Sequence, residues 1–307
     1  MKNQIIPNGE GPALSVIIVS CNTADLIGNC LKSVLAAGNV IREVFVVDNA
    51  STDGSQVFIQ DNFPSVHFIS NTENAGFAAA NNRALSKCKG EYIFFLNPDT
   101  EVLPDTFCQA IAFMDETPRV GLAGTKIINP DGTPQWSVSC RYPGQRYATS
   151  ELSELPGDIA SVLGAGIIGR AELIKAAGGF DEDFFLYGED QDLCLRIRKM
   201  GYEIGYTDSA TVVHVGGQSE RGSLPAAVWK KKIHAEYLFY SKHYMPRTIE
   251  RIKRAQTIQA NWRLLTLMIC YPFARNKEKV REKIEKYRIA LCEAKNFSYE
   301  KTARGRK

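Results

Sequence analysis

The 307-residue sequence lacks the patterns that mark several large classes of protein. Its longest apolar-rich run, 264–274, is 11 residues long and includes Thr266, Tyr271 and Pro272, which is too short to span a bilayer. The first 12 residues are polar, so we expect no secretory signal. The eight cysteines form neither a CxxC pair nor a zinc-ligand spacing, which favours small buried thiols in a cytoplasmic protein.

Two phosphate-binding motifs are also missing. No GxGxxG follows the first strand-like segment, which disfavours a dinucleotide cofactor, and no GxxxxGK[ST] loop occurs anywhere. Residues 20–28 also lack the Gly-rich, basic signature expected of a nucleotidyltransferase, and we find no internal repeat. With 44% hydrophobic and 23% charged residues, the chain can nevertheless bury the core of one large or two modest domains.

Charge is distributed unevenly along the chain. Residues 228–307 contain 21 Lys and Arg against 7 Glu and no Asp, whereas residues 1–227 contain 16 basic and 27 acidic residues. We therefore predict an acidic domain at 1–227 and a basic, mainly helical C-terminal extension at 228–307. Such asymmetry indicates contact of the extension with a polyanion or a membrane surface.

The first 125 residues alternate strand-like and helix-like segments. The continuous β-branched run 14–20 is typical of a strand buried on both faces. Further strands are predicted at 41–47, 66–70, 91–96, 120–128, 135–140 and 210–215, and helices at 26–35, after 52, and at 78–86, 104–114, 170–177 and 189–200. This order predicts an α/β fold with an open, mostly parallel sheet, helices on both faces and a ligand site at the carboxyl ends of the strands.

Three candidate site residues follow predicted strands. Asp48 ends the strand 41–47 and lies too early to cap the next helix. Asp99 follows a buried strand, where a carboxylate is costly unless a cation bridging a diphosphate compensates it; a simple turn is the alternative. His214 ends the last strand beside two glycines, where a structural role and a ligand role are equally open.

Two further segments carry polar candidates. The segment 74–82 joins a loop to a helix with small residues, which fits either a ligand or a close-packed helix. Three carboxyl groups begin the helix 189–200. Asp192 has Arg196 four residues on and is interpreted as an intrahelical ion pair. Asp190 and Glu189 lack such a partner, so Asp190 is the better candidate for a general base.

In their order and spacing, these segments resemble family 2 glycosyltransferases of the GT-A fold, in particular the rhamnosyltransferase-like branch of bacterial surface polysaccharide synthesis. The resemblance spans roughly residues 14–220. It rests on SVIIVSCN (15–22), VVDNASTDGS (46–55), NAGFAAANN (74–82), LNPDT (96–100), GFDEDFFLYGEDQDLCLR (179–196) and HVGGQS (214–219).

The resemblance implies a nucleotide-sugar donor bound at one end of the sheet. Ser20 and Asn22 would line the base pocket, and Asp48 would hold the nucleotide. The floor under the nucleotide sugar would be shaped by Asn74, Gly76 and Asn82.

The same resemblance assigns the chemistry. Asp99 would bind a divalent cation, Mg²⁺ or Mn²⁺, or the diphosphate, with His214 as a further ligand. Asp190 would deprotonate the acceptor hydroxyl, with Glu189 on the acceptor side. Many relatives have Asp-x-Asp at the metal site, whereas this chain has Asn97-Pro98-Asp99, so less charge is available to hold the cation.

The implied reaction is inverting transfer of a sugar, with L-rhamnose from dTDP-L-rhamnose as the first choice, to a glycan or lipid-linked glycan. A UDP-hexose or UDP-galactofuranose donor is the alternative, and a non-catalytic nucleotide-sugar-binding subunit is the second. For residues 228–307 we favour peripheral binding to the inner face of the cell membrane, with 277–288 as an interfacial basic helix. The alternative is a helix that packs on the body or on a second subunit of a homodimer. No nucleic-acid partner is expected.

Overall fold

The computed structural model of the protein describes residues 13–216 and 224–297. Within these ranges the chain forms two compact units, a sheet unit (13–141, 155–185 and 189–216) and a helical unit (142–154, 186–188 and 224–297). Residues 217–219 of the HVGGQS segment lie outside the described residues. The boundary at 227/228 stays a prediction, to which the structure adds that the segments 142–154 and 186–188 cluster with the helical unit.

The sheet unit follows the alternation that the sequence predicts. Its first part contains β1 Leu14–Ser20, α1 Ile27–Ala36, β2 Ile41–Asp48, α2 Ser55–Asn62, β3 His67–Ser70, α3 Phe77–Leu85 and β4 Tyr92–Leu96. Its second part contains β5 Thr100–Val102, α4 Thr106–Glu116, β6 Val120–Ile128, β7 Val138–Ser139, β8 Ser161–Val162, β9 Gly166–Arg170, α5 Ala171–Ala176, α6 Glu189–Lys199 and β10 Glu203–His214.

Eight strands form one mixed sheet in the order β3-β2-β1-β4-β9-β6-β10-β5. The strands β1 to β4 are parallel, whereas β9 runs antiparallel to both β4 and β6, and β5 runs antiparallel to β10. The predicted mostly parallel α/β sheet is confirmed. The strand predicted at 135–140 is reduced to β7, which pairs with β8 in a separate two-stranded sheet.

The core lies on both faces of the sheet, which explains the continuous apolar strands. All seven residues of β1 and all five of β4 are buried. Val16 and Ile18 of β1 pack into one hydrophobic cluster, and Ile17 and Val19 pack into the other. Burial of each such side chain stabilises the fold by roughly 1.5–3 kcal/mol, so β1 is a central element of the unit.

The helical unit consists of α7 Pro225–His243, α8 Pro246–Cys270 and α9 Lys277–Asn296, joined by short turns. The predicted helical character of the extension is confirmed. Tyr142 stacks on Phe239 with ring centroids 5.7 Å apart, and the Tyr244 hydroxyl donates to the Pro143 carbonyl at 2.5 Å. These contacts explain why 142–154 clusters with this unit. None of the helices in the described ranges combines the length and the apolar content needed to cross a membrane.

Candidate active site

The carboxyl ends of β1, β2 and β4 meet at one edge of the sheet, where several predicted residues lie. Ser20 is paired with Asp48 in the parallel ladder of β1 and β2, and Ile18 is paired with Leu96 of β4. Because open α/β sheets bind ligands at such an edge, the register puts the polar residues after these strands in position to form one site.

Asp48 is fully buried, and only one of its carboxylate oxygens is satisfied. Oδ1 accepts hydrogen bonds from the Ser51 backbone N–H at 2.9 Å and from Gln56 Nε2 at 2.8 Å. Oδ2 has no hydrogen-bond partner among the described residues. A buried carboxylate oxygen without a donor is costly, so this oxygen is a ready acceptor for a ligand N–H or O–H.

The two other residues predicted in the base pocket hold the loops around Asp48. Ser20 is buried, and its hydroxyl lies 2.7 Å from the Thr23 hydroxyl. Asn22 has a positive φ of 53°, and its Oδ1 accepts from the Thr52 backbone N–H at 2.8 Å. The Asn22 N–H donates in turn to Ser51 Oγ. Both residues therefore fix the loops around Asp48, and their direct contact with a nucleobase stays a prediction.

Sequence analysis missed Asn49, which is buried at the centre of an amide network. Its Nδ2 donates to Asn74 Oδ1 at 2.8 Å, and its Oδ1 accepts from Asn71 Nδ2 at 2.9 Å and from the Ala75 backbone N–H at 3.0 Å. Asn74 also accepts from the Gly76 N–H. The sequence did contain a signal for Asn49, because this amide directly follows the strand-end carboxylate Asp48 and therefore lies at the ligand-binding edge of the sheet.

Gly76 and Asn82 hold the segment that leads along the chain towards α6. Gly76 has a φ of +84°, and a Cβ there would lie 2.6 Å from the Phe185 carbonyl oxygen. That oxygen accepts from the Phe77 N–H at 2.8 Å. Asn82 Nδ2 donates to the Phe180 carbonyl and to Glu182 Oε1, and Asn82 Oδ1 accepts from the Phe180 N–H. Their contact with a donor sugar stays a prediction, whereas their positioning of 180–185 is observed.

Gly76→Ala is expected to lower the melting temperature by several degrees, and by more than Gly54→Ala. Both glycines have a positive φ, which costs an alanine about 1–3 kcal/mol. Only at Gly76 does the new Cβ also collide with backbone, since nothing lies within 4 Å of the corresponding point at Gly54. Thermal unfolding of the two variants tests this. Equal losses would show that the backbone at Phe185 yields easily.

Asp99 and His214 are brought together by the pairing of β5 with β10. His214 is opposite Thr100 in that ladder, and the Asp99 carbonyl accepts from the Val215 N–H at 3.0 Å. Asp99 and His214 are 7% and 9% exposed, and His214 Nε2 lies 3.4 Å from Asp99 Oδ1. The fold thus places the two predicted metal ligands side by side although 115 positions separate them in the sequence.

Gln135 fixes the tautomer of His214. Its Nε2 donates to the His214 carbonyl at 2.6 Å and to Asn129 Oδ1 at 2.7 Å, so Gln135 Oε1 faces His214 Nδ1 at 3.0 Å. Nδ1 must therefore carry the proton, and in the neutral ring the lone pair of Nε2 faces the Asp99 carboxylate. Two electron-rich atoms at this distance need a cation or a proton between them.

The donor set fits a divalent cation that is completed by its substrate. Adjacent ligands of an octahedral cation, each about 2.1 Å from the ion, lie about 3.0 Å apart. Asp99 Oδ1 and His214 Nε2 are 3.4 Å apart, so a small approach of the two side chains would let them share one ion. Within 13–216 and 224–297 no group of three or more His, Cys, Asp or Glu residues could hold an ion alone. The remaining ligands would come from diphosphate oxygens and water, as Mg²⁺ sites commonly use.

The acidic start of α6 contains one structural and two unusual carboxyl groups. Asp192 is 1% exposed, and its Oδ2 receives hydrogen bonds from Arg196 Nε at 2.8 Å and Nη2 at 2.7 Å. The predicted intrahelical ion pair is confirmed. Arg196 also donates to the Gly179 carbonyl at 2.8 Å, so this pair fixes α6 against the turn before it.

Asp190 and Glu189 both resist ionisation. Burial raises the pKa of Asp190, although its carboxylate accepts hydrogen bonds from the backbone N–H groups of Gln191 and Gly164. Burial and the neighbouring Asp190 raise the pKa of Glu189 to about 8, and Glu189 Oε2 has no partner among the described residues. Burial thus favours the protonated form of both carboxyl groups, and near neutral pH Glu189 keeps its proton.

The backbone beside β9 connects these carboxyl groups with the end of β4. Gly164 hydrogen-bonds Asp190, and the next residue, Ala165, accepts at its carbonyl from the Asn97 N–H at 3.4 Å. β9 follows directly and lies between β4 and β6 in the sheet. The unpredicted strand β9 is therefore what places the start of α6 beside the strand end that carries Asp99.

The stability of the protein is expected to fall as pH rises through the range in which folded Glu189 keeps a proton that the unfolded chain releases. That range extends from the ordinary pKa of 4.5 to about 8. Glu189→Gln removes the ionisable group, so its stabilising effect should be larger at pH 8 than at pH 5. Urea unfolding at both pH values, with the exposed Glu172→Gln as control, tests this. The prediction is contradicted if the difference in unfolding free energy between Glu189→Gln and the parent protein does not grow with pH.

The sheet order, the mixed strand directions and the polar edge agree with the α/β fold of the GT-A type that the motif resemblance implies. A family model described as "Glycosyl transferase family 2" matches residues 15–176, which is more than half of the chain. The chain therefore belongs to glycosyl transferase family 2, and the resemblance inferred from its motifs is confirmed.

Two curated relatives and one solved structure are similar to the chain. The O-antigen biosynthesis protein RfbC of Myxococcus xanthus is 28% identical over 70% of this chain and 18% of its own length. The N-acetylglucosaminyl-diphospho-decaprenol L-rhamnosyltransferase of Mycobacterium tuberculosis is 26% identical over 75% of this chain and 85% of its own. A mannosyltransferase from Pyrobaculum calidifontis, solved with GDP-Man and Mn²⁺, shares the fold with a TM-score of 0.56 at 20% identity, covering 94% of this chain and 76% of that one.

The lengths of the relatives limit what these matches carry over. The chain spans 18% of the Myxococcus protein and 24% of a 26% identical Sinorhizobium fredii protein. The comparisons thus establish the family and the fold.

Proposed function

We propose that the protein is an inverting glycosyltransferase that moves a sugar from a nucleotide-sugar donor to a hydroxyl of a glycan or lipid-linked glycan in cell-surface polysaccharide synthesis. The observation that carries this proposal is the pair of Asp99 and His214, whose facing electron-rich atoms suit a cation shared with a diphosphate. Family membership and the names of the curated relatives support it.

The donor would bind at the carboxyl edge of β1, β2 and β4. The Oδ2 of Asp48, which lacks a donor among the described residues, would accept from the nucleotide in a pocket shaped by Ser20 and Asn22. Asp99 and His214 would hold Mg²⁺ or Mn²⁺, which, when bound, offsets the negative charge that develops on a departing diphosphate. Gln135 would keep His214 in the tautomer that offers Nε2.

Asp190 would act as the general base in a single displacement. The acceptor hydroxyl loses its proton to the Asp190 carboxylate, and the oxygen forms a bond to the anomeric carbon. The bond between that carbon and the nucleoside diphosphate breaks on the opposite side, so the configuration inverts. Burial raises the pKa of Asp190, and a carboxylate with a raised pKa is the stronger base. Glu189 beside it holds its proton near neutral pH, so it adds no second negative charge next to the base.

The choice of donor sugar is supported by the name of a relative rather than by the geometry. The Mycobacterium tuberculosis relative is named an L-rhamnosyltransferase that acts on a diphospho-decaprenol, which makes dTDP-L-rhamnose the first choice and a lipid-linked glycan a fitting acceptor. A UDP-sugar donor is the alternative within the same class.

A thermal-shift screen of dTDP, UDP, GDP and CDP, each with and without Mn²⁺ or Mg²⁺, tests the proposal. A ligand that binds only the folded state raises the melting temperature. We expect a shift selective for dTDP and enlarged by the cation. A shift selective for UDP would support the same reaction class with a UDP-sugar as the donor. The proposed function is overturned if none of the nucleotides shifts the melting temperature. If a nucleotide shifts it but no sugar is transferred, the alternative of a non-catalytic nucleotide-sugar-binding subunit is supported.

A further inference from the structure

One face of α8 is exposed along the whole helix and changes in chemistry halfway. Positions 247, 251, 254, 258, 262, 265 and 269 succeed one another at steps of three or four residues, so they lie on one side. We call this side the outer face. Its N-terminal half carries Arg247, Arg251 and Arg254, all exposed, and its C-terminal half carries Ile258, Trp262, Leu265 and Ile269.

The apolar half of the outer face is large and open. Its four side chains are between 53% and 71% exposed, and Met268 and Phe273, 60% and 87% exposed, extend the apolar surface beyond them. Ile249, Ile252 and Ala260 are apolar residues that α8 buries, on the opposite side. The opposite side of α8 thus makes the packing contacts within the unit. These contacts do not explain why the outer face also carries apolar residues.

The charge along residues 251–277 has one sign. Residues 251–277 contain no acidic residue, and Glu250 of the preceding turn lies 3.3 Å from Lys253. At the apolar end, Arg281 Nε donates to the Tyr271 hydroxyl at 2.8 Å, and Lys277 lies 6.0 Å from the centre of the same ring. Cations therefore flank the apolar half at both ends.

We propose that the outer face of α8 docks on an anionic lipid surface. Ile258, Trp262, Leu265 and Ile269 enter the boundary between headgroups and acyl chains, and the three arginines hold lipid phosphates. The centres of the two halves are about 20 Å apart at 1.5 Å per residue, so a modest inclination of the helix sinks the apolar half deeper than the arginines. Guanidinium groups bind phosphate in a forked geometry, which suits them to this position.

A second copy of the chain fits the outer face poorly. If two such faces met in parallel, arginines would face arginines. In an antiparallel pair, the arginines of each copy would lie against the apolar half of the other copy, and their guanidinium groups would be dehydrated without a partner. A lipid leaflet presents phosphates above acyl chains at every point, which matches both halves at once.

The sequence-based hypothesis for the extension named 277–288 as the interfacial helix. That segment begins α9, where the described side chains are mainly charged and Ile284 is half-buried. The structure therefore directs the proposal to α8, with α9 supplying flanking cations. The expectation of membrane association itself stays a prediction.

Quenching of tryptophan fluorescence by brominated acyl chains tests the proposal on the intact protein. The probe is a vesicle of phosphatidylglycerol and phosphatidylcholine, with pure phosphatidylcholine as the neutral reference. We expect quenching in the parent protein and in Trp136→Phe, and loss of most of it in Trp262→Phe, in which the half-buried Trp229 remains. Trp136 is 88% exposed in the other unit, so it controls for exposure alone. Quenching in Trp262→Phe as strong as in the parent protein overturns the proposal.

Vesicle cosedimentation at low salt tests the two halves separately. Replacing Arg247, Arg251 and Arg254 by Gln should weaken binding by about 100-fold, or about fivefold for each charge. The matched control replaces the exposed Lys32, Arg42 and Lys87 by Gln and should change binding little. Ile258→Ser with Leu265→Ser should weaken binding at least about tenfold, whereas Val57→Ser with Leu103→Ser, also exposed, should not.

Three outcomes overturn the proposal: no binding to anionic vesicles, equal losses in the control variants, or a concentration-dependent dimer that Ile258→Ser combined with Leu265→Ser dissociates. Vesicle binding does not require turnover, and Asp190→Asn should bind vesicles as the parent does. Failure of this proposal is therefore separable from failure of the proposed function.

Discussion

Asp190→Asn is expected to lower turnover by about a hundredfold to ten-thousandfold while the protein keeps its fold and its nucleotide affinity. An amide cannot take the acceptor proton, and general-base catalysis contributes rate factors of that size. Since Asp190 is costly to ionise where it lies, the substitution should leave the melting temperature unchanged or raise it. Sugar transfer, nucleotide thermal shift and thermal unfolding of the one variant measure all three.

Asp192→Asn is the matched control, because it makes the same chemical change two residues further along α6. Asp192 is paired with Arg196 and is 1% exposed, so its loss leaves Arg196 incompletely compensated. We expect the melting temperature to fall, by an amount that reflects about 1–3 kcal/mol, with a smaller effect on turnover of the folded protein. Near-normal turnover of Asp190→Asn removes Asp190 as the base.

Asp99→Asn is expected to lower turnover by about a hundredfold or more and to abolish the part of the nucleotide thermal shift that depends on Mn²⁺ or Mg²⁺. The Asp99 carboxylate lies beside His214 Nε2, and a cation at a departing diphosphate is worth several kcal/mol. Without the cation, the thermal shift caused by the nucleotide alone should persist, since Asp48 lies elsewhere on the sheet edge. The measurement is turnover and thermal shift over a cation titration.

Asp131→Asn controls for the loss of one negative charge. Asp131 is exposed in the turn that precedes Gln135, and its carboxylate accepts from Thr133. It should behave as the parent protein does. A full cation-dependent shift in Asp99→Asn would show that the cation is held by other groups.

The strands of the first half of the sheet could be predicted because their burial on both faces leaves continuous apolar runs in the sequence. β1 and β4 are of this kind, and their predicted bounds agree closely with the structure. β9 escaped prediction because its five residues include two glycines, which weaken a strand pattern. β10 begins at Glu203 rather than 210, since a register irregularity between Thr207 and Thr211 brings polar residues into the strand.

Residues of the candidate site could be predicted only where their own position in the sequence, at a strand end or at a helical spacing from a partner, indicated their role. Asp48, Asp99 and His214 are all placed at strand ends, and Asp192 has Arg196 at the helical spacing. Gln135 had no such signal, because its importance comes from facing His214 Nδ1 across 79 positions of sequence. Glu189 resembled an ordinary helix-start acid, which the helix dipole would favour as a charge. Burial reverses that preference, and burial is not written in the local sequence.

The sequence by itself determined the α/β alternation, the family, the strand-end acids and the basic, helical extension, because each depends on local periodicity, composition or a run of adjacent residues. The tertiary structure decided which of these residues meet. Strand order placed Asp99 beside His214, β9 placed α6 at the sheet edge, and packing of one side of α8 left Trp262 and its neighbours on the other. Contacts between distant segments depend on chain topology and burial, which no local pattern encodes.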